Sequence, residues 1–204
     1  MVKLTQQFVN RSGWVTYEDF RSAIHDGQKA DLIDGVIFMA SPDNTDANDL
    51  FVWLVRLLAG FCEDQNCGKV YGSRVSMRLD DKNAPEPDLA VVLNDHLHLV
   101  ERRHINGPAD LAIEIVSPES VQRDYEKKRK LYERFGVKEY WIIDEDLQVI
   151  TLLSLGSKSY RELKIRKGTF NSVVLPGFCL NPKWIWANPR PRIWDCLQLM
   201  KAGK

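Results

Sequence analysis

Between residues 47 and 62, Leu50, Phe51, Leu54, Leu57, Leu58 and Phe61 recur three and four positions apart. This spacing predicts an amphipathic helix packed on a sheet. Elsewhere the apolar period is shorter. Residues 31–40 (DLIDGVIFMA) read as a strand, a turn at Asp34-Gly35 and a second strand, ended by Ser41-Pro42. Strands are expected at 69–79 and 88–93, on either side of a polar turn over 80–87. The run 111–116 (LAIEIV) is apolar but for one carboxylate, residues 119–135 are helical in pattern, and 139–144 (EYWIID) is again a strand. Strand, helix and strand at this length predict a right-handed crossover joining two parallel strands. Residues 147–155 and 160–167 follow as a hairpin, with a segment at 172–175 before the Pro176-Gly177 turn. Near the N-terminus, Thr16 and Asp19 have the spacing of a helix cap and the acid that reciprocates it.

Charge interrupts this pattern in two places. On the helix 119–135, at about 100° per residue, Val121, Tyr125, Leu131, Tyr132 and Phe135 share one face. Asp124 and Lys128 fall inside that stripe, whereas Glu126, Lys127, Arg129, Lys130, Glu133 and Arg134 fall outside it. A charge on a buried face costs several kcal/mol unless a partner or a wet cavity receives it, of order 3–5 kcal/mol when the partner is lost. A plain Asp124–Lys128 pair at i, i+4 is the simplest account, and on an exposed face it contributes only a few tenths of a kcal/mol.

Glu114 is the second interruption, stranded among Leu111, Ala112, Ile113, Ile115 and Val116. Its strand runs into the helix that carries Lys128, so both can face one end of the sheet. Strand alternation sets Asp88, Ala90 and Val92 on one side. Two carboxylates and a lysine can therefore converge. Hard oxygen donors of this kind suit Mg²⁺ or Mn²⁺, which keep several waters and take one or two carboxylates plus phosphate oxygens. A lysine there can orient the attacking water or offset charge on the phosphorus oxygens.

Composition changes this picture little. The chain has 204 residues, 44% of them hydrophobic, with no repeats or low-complexity linkers, which predicts a single domain over 1–204. Lys plus Arg and Asp plus Glu are both 28, so no global basic field marks a nucleic-acid partner, and any such partner is held locally. No apolar run approaches the roughly 20 residues of a membrane span, and residues 1–10 lack a signal-peptide core; a cytoplasmic location is the expectation. Cys62, Cys67, Cys179 and Cys196 match neither a zinc framework nor a disulfide scaffold and read as reduced thiols. His96-x-His98 supplies too few ligands for a zinc site. The tail 181–204 carries Trp184, Trp186 and Trp194 among Arg190 and Arg192. Such residues can stack on bases, but more often they cover a core or a dimer partner.

The blocks Pro87-Asp88-Leu89, Ala112-Ile113-Glu114-Ile115-Val116-Ser117-Pro118, Arg123-Asp124 with Lys128 and Tyr132, and 136–144 (GVKEYWIID) together resemble the Uma2 family, also called DUF820. That family of predicted restriction endonucleases belongs to the PD-(D/E)XK nuclease-like superfamily. The similarity runs from about Thr16 to Leu180. It implies an α/β fold with a mixed, restriction-endonuclease-like sheet flanked by helices, and Asp88 and Glu114 as ligands of Mg²⁺ (or Mn²⁺). Asp31 matches the family's first acidic position, usually Glu, and would add a metal or water contact. The superfamily's usual lysine lies two residues after the acid, where this chain has Val116, so Lys128 would take its place. Asn48 stands where many members carry His.

The expected function is metal-dependent hydrolysis of DNA phosphodiesters, with Asp88 and Glu114 holding the ion beside the Ile115 carbonyl. Lys128 would assist the water, and Asp31, Asp124 and Tyr132 would be auxiliary. A homodimer is expected, from the neutral surface, the tryptophan-rich tail and the need to cut two strands. The alternatives are a non-catalytic DNA-binding or regulatory module on the same fold, or a structural homodimer in which Asp124 and Lys128 are merely paired.

Overall fold

The computed structural model of the chain describes residues 13–24, 28–41 and 44–202. Helix α1 (Tyr17–Ala23) opens on the expected cap. The Thr16 hydroxyl accepts from the Asp19 N–H at 3.2 Å, and the Asp19 carboxylate accepts from the Thr16 N–H at 3.1 Å. Strands β1 (Ala30–Ile33) and β2 (Val36–Met39) form a hairpin around Asp34 and Gly35. Both turn residues have positive φ, 49° and 76°. This is the primed turn that matches strand twist and favours Asp-Gly. A Cβ on Gly35 would lie 2.4 Å from the Trp14 side chain, so glycine is required there twice over.

The central sheet has six strands in the order β3-β4-β5-β6-β7-β8. They are β3 (Gly68–Gly72), β4 (Leu89–Leu93), β5 (Leu111–Ile115), β6 (Glu139–Asp144), β7 (Val149–Leu155) and β8 (Tyr160–Ile165). Only β5 and β6 are parallel, joined by the predicted helical crossover; every other pair is antiparallel. Helix α2 (Thr45–Gln65) covers one face, burying Leu50, Leu54, Leu57, Leu58 and Phe61 against Leu89, Val91, Leu111, Ile113, Trp141 and Ile143. The other face is built from Ala90, Val92, Ala112, Tyr140 and Ile142, under Tyr132 and Met77. The sheet is thus a mixed one between helical layers, and the odd and even positions of β4 and β5 enter different cores.

The strand expected over 69–79 is shorter than its pattern suggests. β3 ends at Gly72, and Arg74 takes a left-handed backbone with φ 74°, which turns the chain out of the ladder. Beyond it the Met77 N–H donates to the Pro85 carbonyl. The crossover helix also departs from regular geometry. Residues Arg123–Lys128 wind as a π-helical turn before α3 (Arg129–Phe135) begins. The wider turn takes Val121 out of the buried stripe, leaving it 44% exposed, and Phe135 is only half-buried. Asp124, Lys128, Leu131 and Tyr132 are the residues this segment buries.

Past β8, the two-stranded sheet of β9 (Phe170–Asn171) and β10 (Cys179–Leu180) leads to α4 (Pro182–Trp186) and α5 (Ile193–Ala202). This tail covers the core. Cys196 and Met200 join the cluster under α2, Trp184 and Trp186 pack against it, and the Trp53 indole donates to the Pro191 carbonyl at 2.9 Å. Trp194 is the exception, 63% exposed. The four cysteines are free thiols. Among the described residues, no helix is long and apolar enough to cross a membrane.

Candidate active site

Antiparallel pairing of β4 with β5 matches Leu89 to Ile113 and Ala90 to Ala112. Asp88 is the bend residue just before β4, and continuing this register by one step would set it opposite Glu114; its carboxylate accepts from the Ile115 N–H and its charge acts on Glu114. Both lie on the α3 face of the sheet, where directly opposed side chains have their Cβ atoms about 4.5–5.5 Å apart and like charges repel. The arrangement is tolerable only if cations are built in, and two lysines are.

The Lys128 ammonium lies 2.8 Å from Glu114 Oε1, 3.1 Å from Asp31 Oδ1 and 3.9 Å from Asp124 Oδ1. The i, i+4 pair with Asp124 is therefore the longest of three contacts, and the lysine is shared among carboxylates from β1, β5 and its own turn. Its side chain is 1% exposed. Burial disfavours the ammonium, but Asp31, Glu114 and Asp124 outweigh it and hold the pKa above the usual lysine value. For Glu114, burial pushes the carboxyl up; Lys128 opposes this, while Asp124 and Asp88 reinforce it. The Tyr132 hydroxyl also donates to Glu114 Oε1, at 3.0 Å. Asp124 is buried, and burial raises its carboxyl as well, against the pull of Lys128.

Asp31 sits behind this lysine. Its Oδ1 accepts from the Glu86 N–H at 2.8 Å and its Oδ2 lies 3.2 Å from Arg123 Nε. Glu86 returns the tie between the segments by accepting from the Ala30 N–H at 3.2 Å. Its carboxyl is pushed up to about 7 by burial, partly offset by that N–H. These bonds lock β1 onto the segment leading into β4.

Asp88 is held differently. Its Oδ2 accepts from the Ile115 N–H at 2.7 Å, and its Oδ1 is bound by the Lys29 ammonium. Burial disfavours the Lys29 charge, but Asp88 and Glu114 more than compensate and raise its pKa. Asp88, Glu114, Ile115 and Lys29 all line a cavity of about 650 Å³, whose wall continues through Ser117 and Arg123 to the β1–β2 hairpin and the start of α2. Asn48 is not among its lining residues, although Asn44 and Ala47 are.

Asp88 and Glu114 thus meet at one cavity, with Lys128, Asp31, Asp124 and Tyr132 packed behind Glu114. Sequence reasoning missed Lys29, Arg123 and Glu86. Lys29 precedes both the expected strand at 31–40 and β1 itself, so strand alternation gave no signal for it.

The donor set suits a hard divalent ion. Asp31, Asp88, Glu114 and Asp124 outnumber Lys29, Arg123 and Lys128 by one charge before Glu86 is counted, and an ammonium already stands as a cation on Asp88. Among the described residues, no three His, Cys, Asp or Glu side chains form a ready metal-binding group. Two carboxylates with water completing the sphere is the Mg²⁺ pattern. His96 and His98 form no such group; His96 Nδ1 lies 2.8 Å from Asp110 Oδ1 and His98 Nδ1 lies 2.9 Å from the Asp95 carbonyl oxygen.

The fold and the family can be compared directly. A crystal structure from Anabaena variabilis, described as "a putative nuclease belonging to DUF820", superimposes with a TM-score of 0.71, covering 84% of this chain and 97% of the other. The two are 16% identical, so the likeness is one of fold. Among curated proteins none matches. The Uma2 family model, described as "Putative restriction endonuclease", matches residues 14–183, most of the chain and every residue of the acid cluster. The chain belongs to the Uma2 family.

Proposed function

We propose that this protein is a divalent-metal-dependent nuclease that hydrolyses DNA phosphodiester bonds, carried by a single domain that includes the C-terminal tail. The carrying observation is that Asp88 and Glu114 share the wall of the 650 Å³ cavity close enough for their charges to interact, on a fold shared with a nuclease-like structure. Asp88 and Glu114 would hold Mg²⁺ or Mn²⁺, with the backbone of Ile115 beside them. When bound, such an ion supplies an activated water and a Lewis acid for the phosphoryl oxygen.

The protein's own residues do the rest. Lys128 keeps Glu114 oriented and offsets its charge, and Tyr132 fixes the same oxygen. With 1% of its side chain exposed, Lys128 reaches a water in the cavity only through Glu114, so its role is that of a positioning residue. Asp31 and Asp124 hold Lys128 in turn, and Asp31 draws Arg123 to the cavity wall. A cytoplasmic location is part of this proposal, because the enzyme needs access to DNA. A homodimer would bring two such sites to a duplex, and the exposed Trp194 and Leu199 on α5 are the apolar groups such contact would cover.

The test is cleavage of supercoiled and single-stranded DNA with Mg²⁺ or Mn²⁺, beside Glu114→Gln. Nicking or linearisation by the wild type and a loss of ~10²-fold or more in the variant are expected. Equal residual activity in both would remove Glu114 from the chemistry. Calorimetry with Mn²⁺ on Asp88→Asn tests the ion site, where unchanged affinity would rule out Asp88 as a ligand. Light scattering at micromolar concentration tests the dimer.

A further inference from the structure

The two lysines stand on different sides of the acid pair. Lys128 is enclosed, with three carboxylates within 4 Å, and forms no part of the cavity wall. Lys29 lies in that wall, its side chain 20% exposed, and Asp88 is its ion-pair partner. It is attracted by Glu114 as well and repelled by Lys128. Thus one carboxylate of the facing pair is neutralised from inside the protein and the other from the cavity.

That asymmetry has a chemical consequence. An ion liganded by Asp88 would share the carboxylate with an ammonium, and two cations at one carboxylate repel each other strongly in a partly buried site. Asp88 Oδ2 accepts one bond from the Ile115 N–H and keeps a second lone pair, but an ion on either oxygen would sit beside the ammonium that Lys29 places on Oδ1. Lysine has a flexible four-carbon stem and no fixed fork to lose, so it can move where an arginine would be held. The cavity lies beside it. Arg123, the other cation in that wall, is drawn to Asp31 at 3.2 Å.

We propose that Lys29 is an exchangeable cation: it neutralises Asp88 while no divalent ion is bound, yields that carboxylate to the ion, and then contacts the substrate phosphate from the cavity wall. The inference rests on the metal site proposed above and assigns a substrate-contacting lysine distinct from Lys128. By reciprocity, whatever Lys29 gains from Asp88 the ion must lose, so removing the ammonium strengthens ion binding.

Three measurements on the full chain test this. Calorimetric titration with Mn²⁺ should give an affinity about tenfold higher in Lys29→Met than in the wild type, while Lys130→Met, which removes an exposed charge, stays within about twofold. With Ca²⁺ in place of the catalytic ion, a fluorescent DNA duplex should bind Lys29→Met about fivefold more weakly, because a phosphate contact is lost. In the wild-type protein, which needs no variant to fold, acetic anhydride labelling of Lys29 should rise severalfold on adding Mn²⁺, whereas Lys128 stays unlabelled. If neither the wild type nor Lys29→Met takes up Mn²⁺, the metal reading of the site and the exchange fall together. If both bind it equally, or if Lys29 labelling is indifferent to the ion, the exchange is wrong and the metal site stands. Stronger Mn²⁺ binding without weaker DNA binding would overturn the phosphate contact.

Discussion

Lys128 and Glu114 are joined by a 2.8 Å bond between the π-helical turn and strand β5, and neither side chain is more than 3% exposed. Burying such a pair is unfavourable in itself, and it persists because Asp31, Asp124 and Tyr132 share the load. Removing one partner strands the others.

Lys128→Met should therefore destabilise the fold by roughly 3–5 kcal/mol, since Glu114, Asp31 and Asp124 lose their common cation. Lys130→Met, on the exposed side of the same segment, should change stability by less than about 0.5 kcal/mol. Urea unfolding of both variants checks this. A small loss in Lys128→Met would mean that the carboxylates shed their charge instead.

Tyr132→Phe separates hydrogen bonding from packing. The ring lies edge-on to Tyr140 with centroids 4.8 Å apart, and phenylalanine keeps that contact. Only the hydroxyl bond to Glu114 is lost, while Lys128 remains on the same oxygen. A cost of about 1–2 kcal/mol is expected, well below that of Lys128→Met. Equal losses would show that the tyrosine hydroxyl holds Glu114 as strongly as the lysine does.

Much of this arrangement is legible before any coordinates. The Thr16–Asp19 cap, the Asp34-Gly35 turn and the β5–β6 crossover follow from local chemistry, and each is present. Glu114 and Lys128 are conspicuous because each breaks an apolar pattern, and long-range packing puts them in contact. What stayed hidden has physical causes. Lys29 sits in a polar stretch just ahead of β1, where a lysine breaks no pattern, and only pairing of β1 with the 84–88 segment carries it to Asp88. The π-helical turn has no local signature, so a regular helix wheel put Val121 inside and gave Arg123 no role. Glu86 looked like part of a turn, yet it is buried and braces two segments.

Glu139 offers a contrast, a carboxylate with no ion-pair partner among the described residues. It is fully buried and accepts from Trp141 Nε1 and Ser172 Oγ at 2.7 Å each and from the Val173 and Val174 N–H groups at 2.9 Å each. It ties the 172–175 turn to β6. Glu139→Ala would leave Trp141 Nε1, the Ser172 hydroxyl and the Val173 N–H without an acceptor, while the Val174 N–H keeps Ser172 Oγ at 3.2 Å, and a loss of about 3 kcal/mol or more is expected. Because Glu139 is not in the cavity wall, Mn²⁺ binding should survive below the lowered melting temperature. Loss of both together would mean that the turn supports the site.

Asp110 gives the acid limb of stability. Its carboxylate is buried at the N-terminal end of β5, bonded to Lys138 Nζ at 2.8 Å, to His96 Nδ1 and to the Leu93 N–H. Burial alone would raise its pKa, but these bonds outweigh it and leave the value below the usual aspartate range. A group depressed in the folded state adds stability that is present above its unfolded pKa, about 3.9, and is lost as pH falls through the folded value. Asp110→Asn should thus be less stable than the wild type by about 1–3 kcal/mol near pH 7. The gap should close as the pH falls below about 4, because the wild type alone gives up this contribution there. Salt should narrow the gap at neutral pH, since Lys138 is half exposed and its charge is screened. Urea unfolding of both proteins from about pH 7 to pH 3 decides the matter. Stability curves that stay parallel over that range would mean that the carboxylate charge at this position does nothing for the fold.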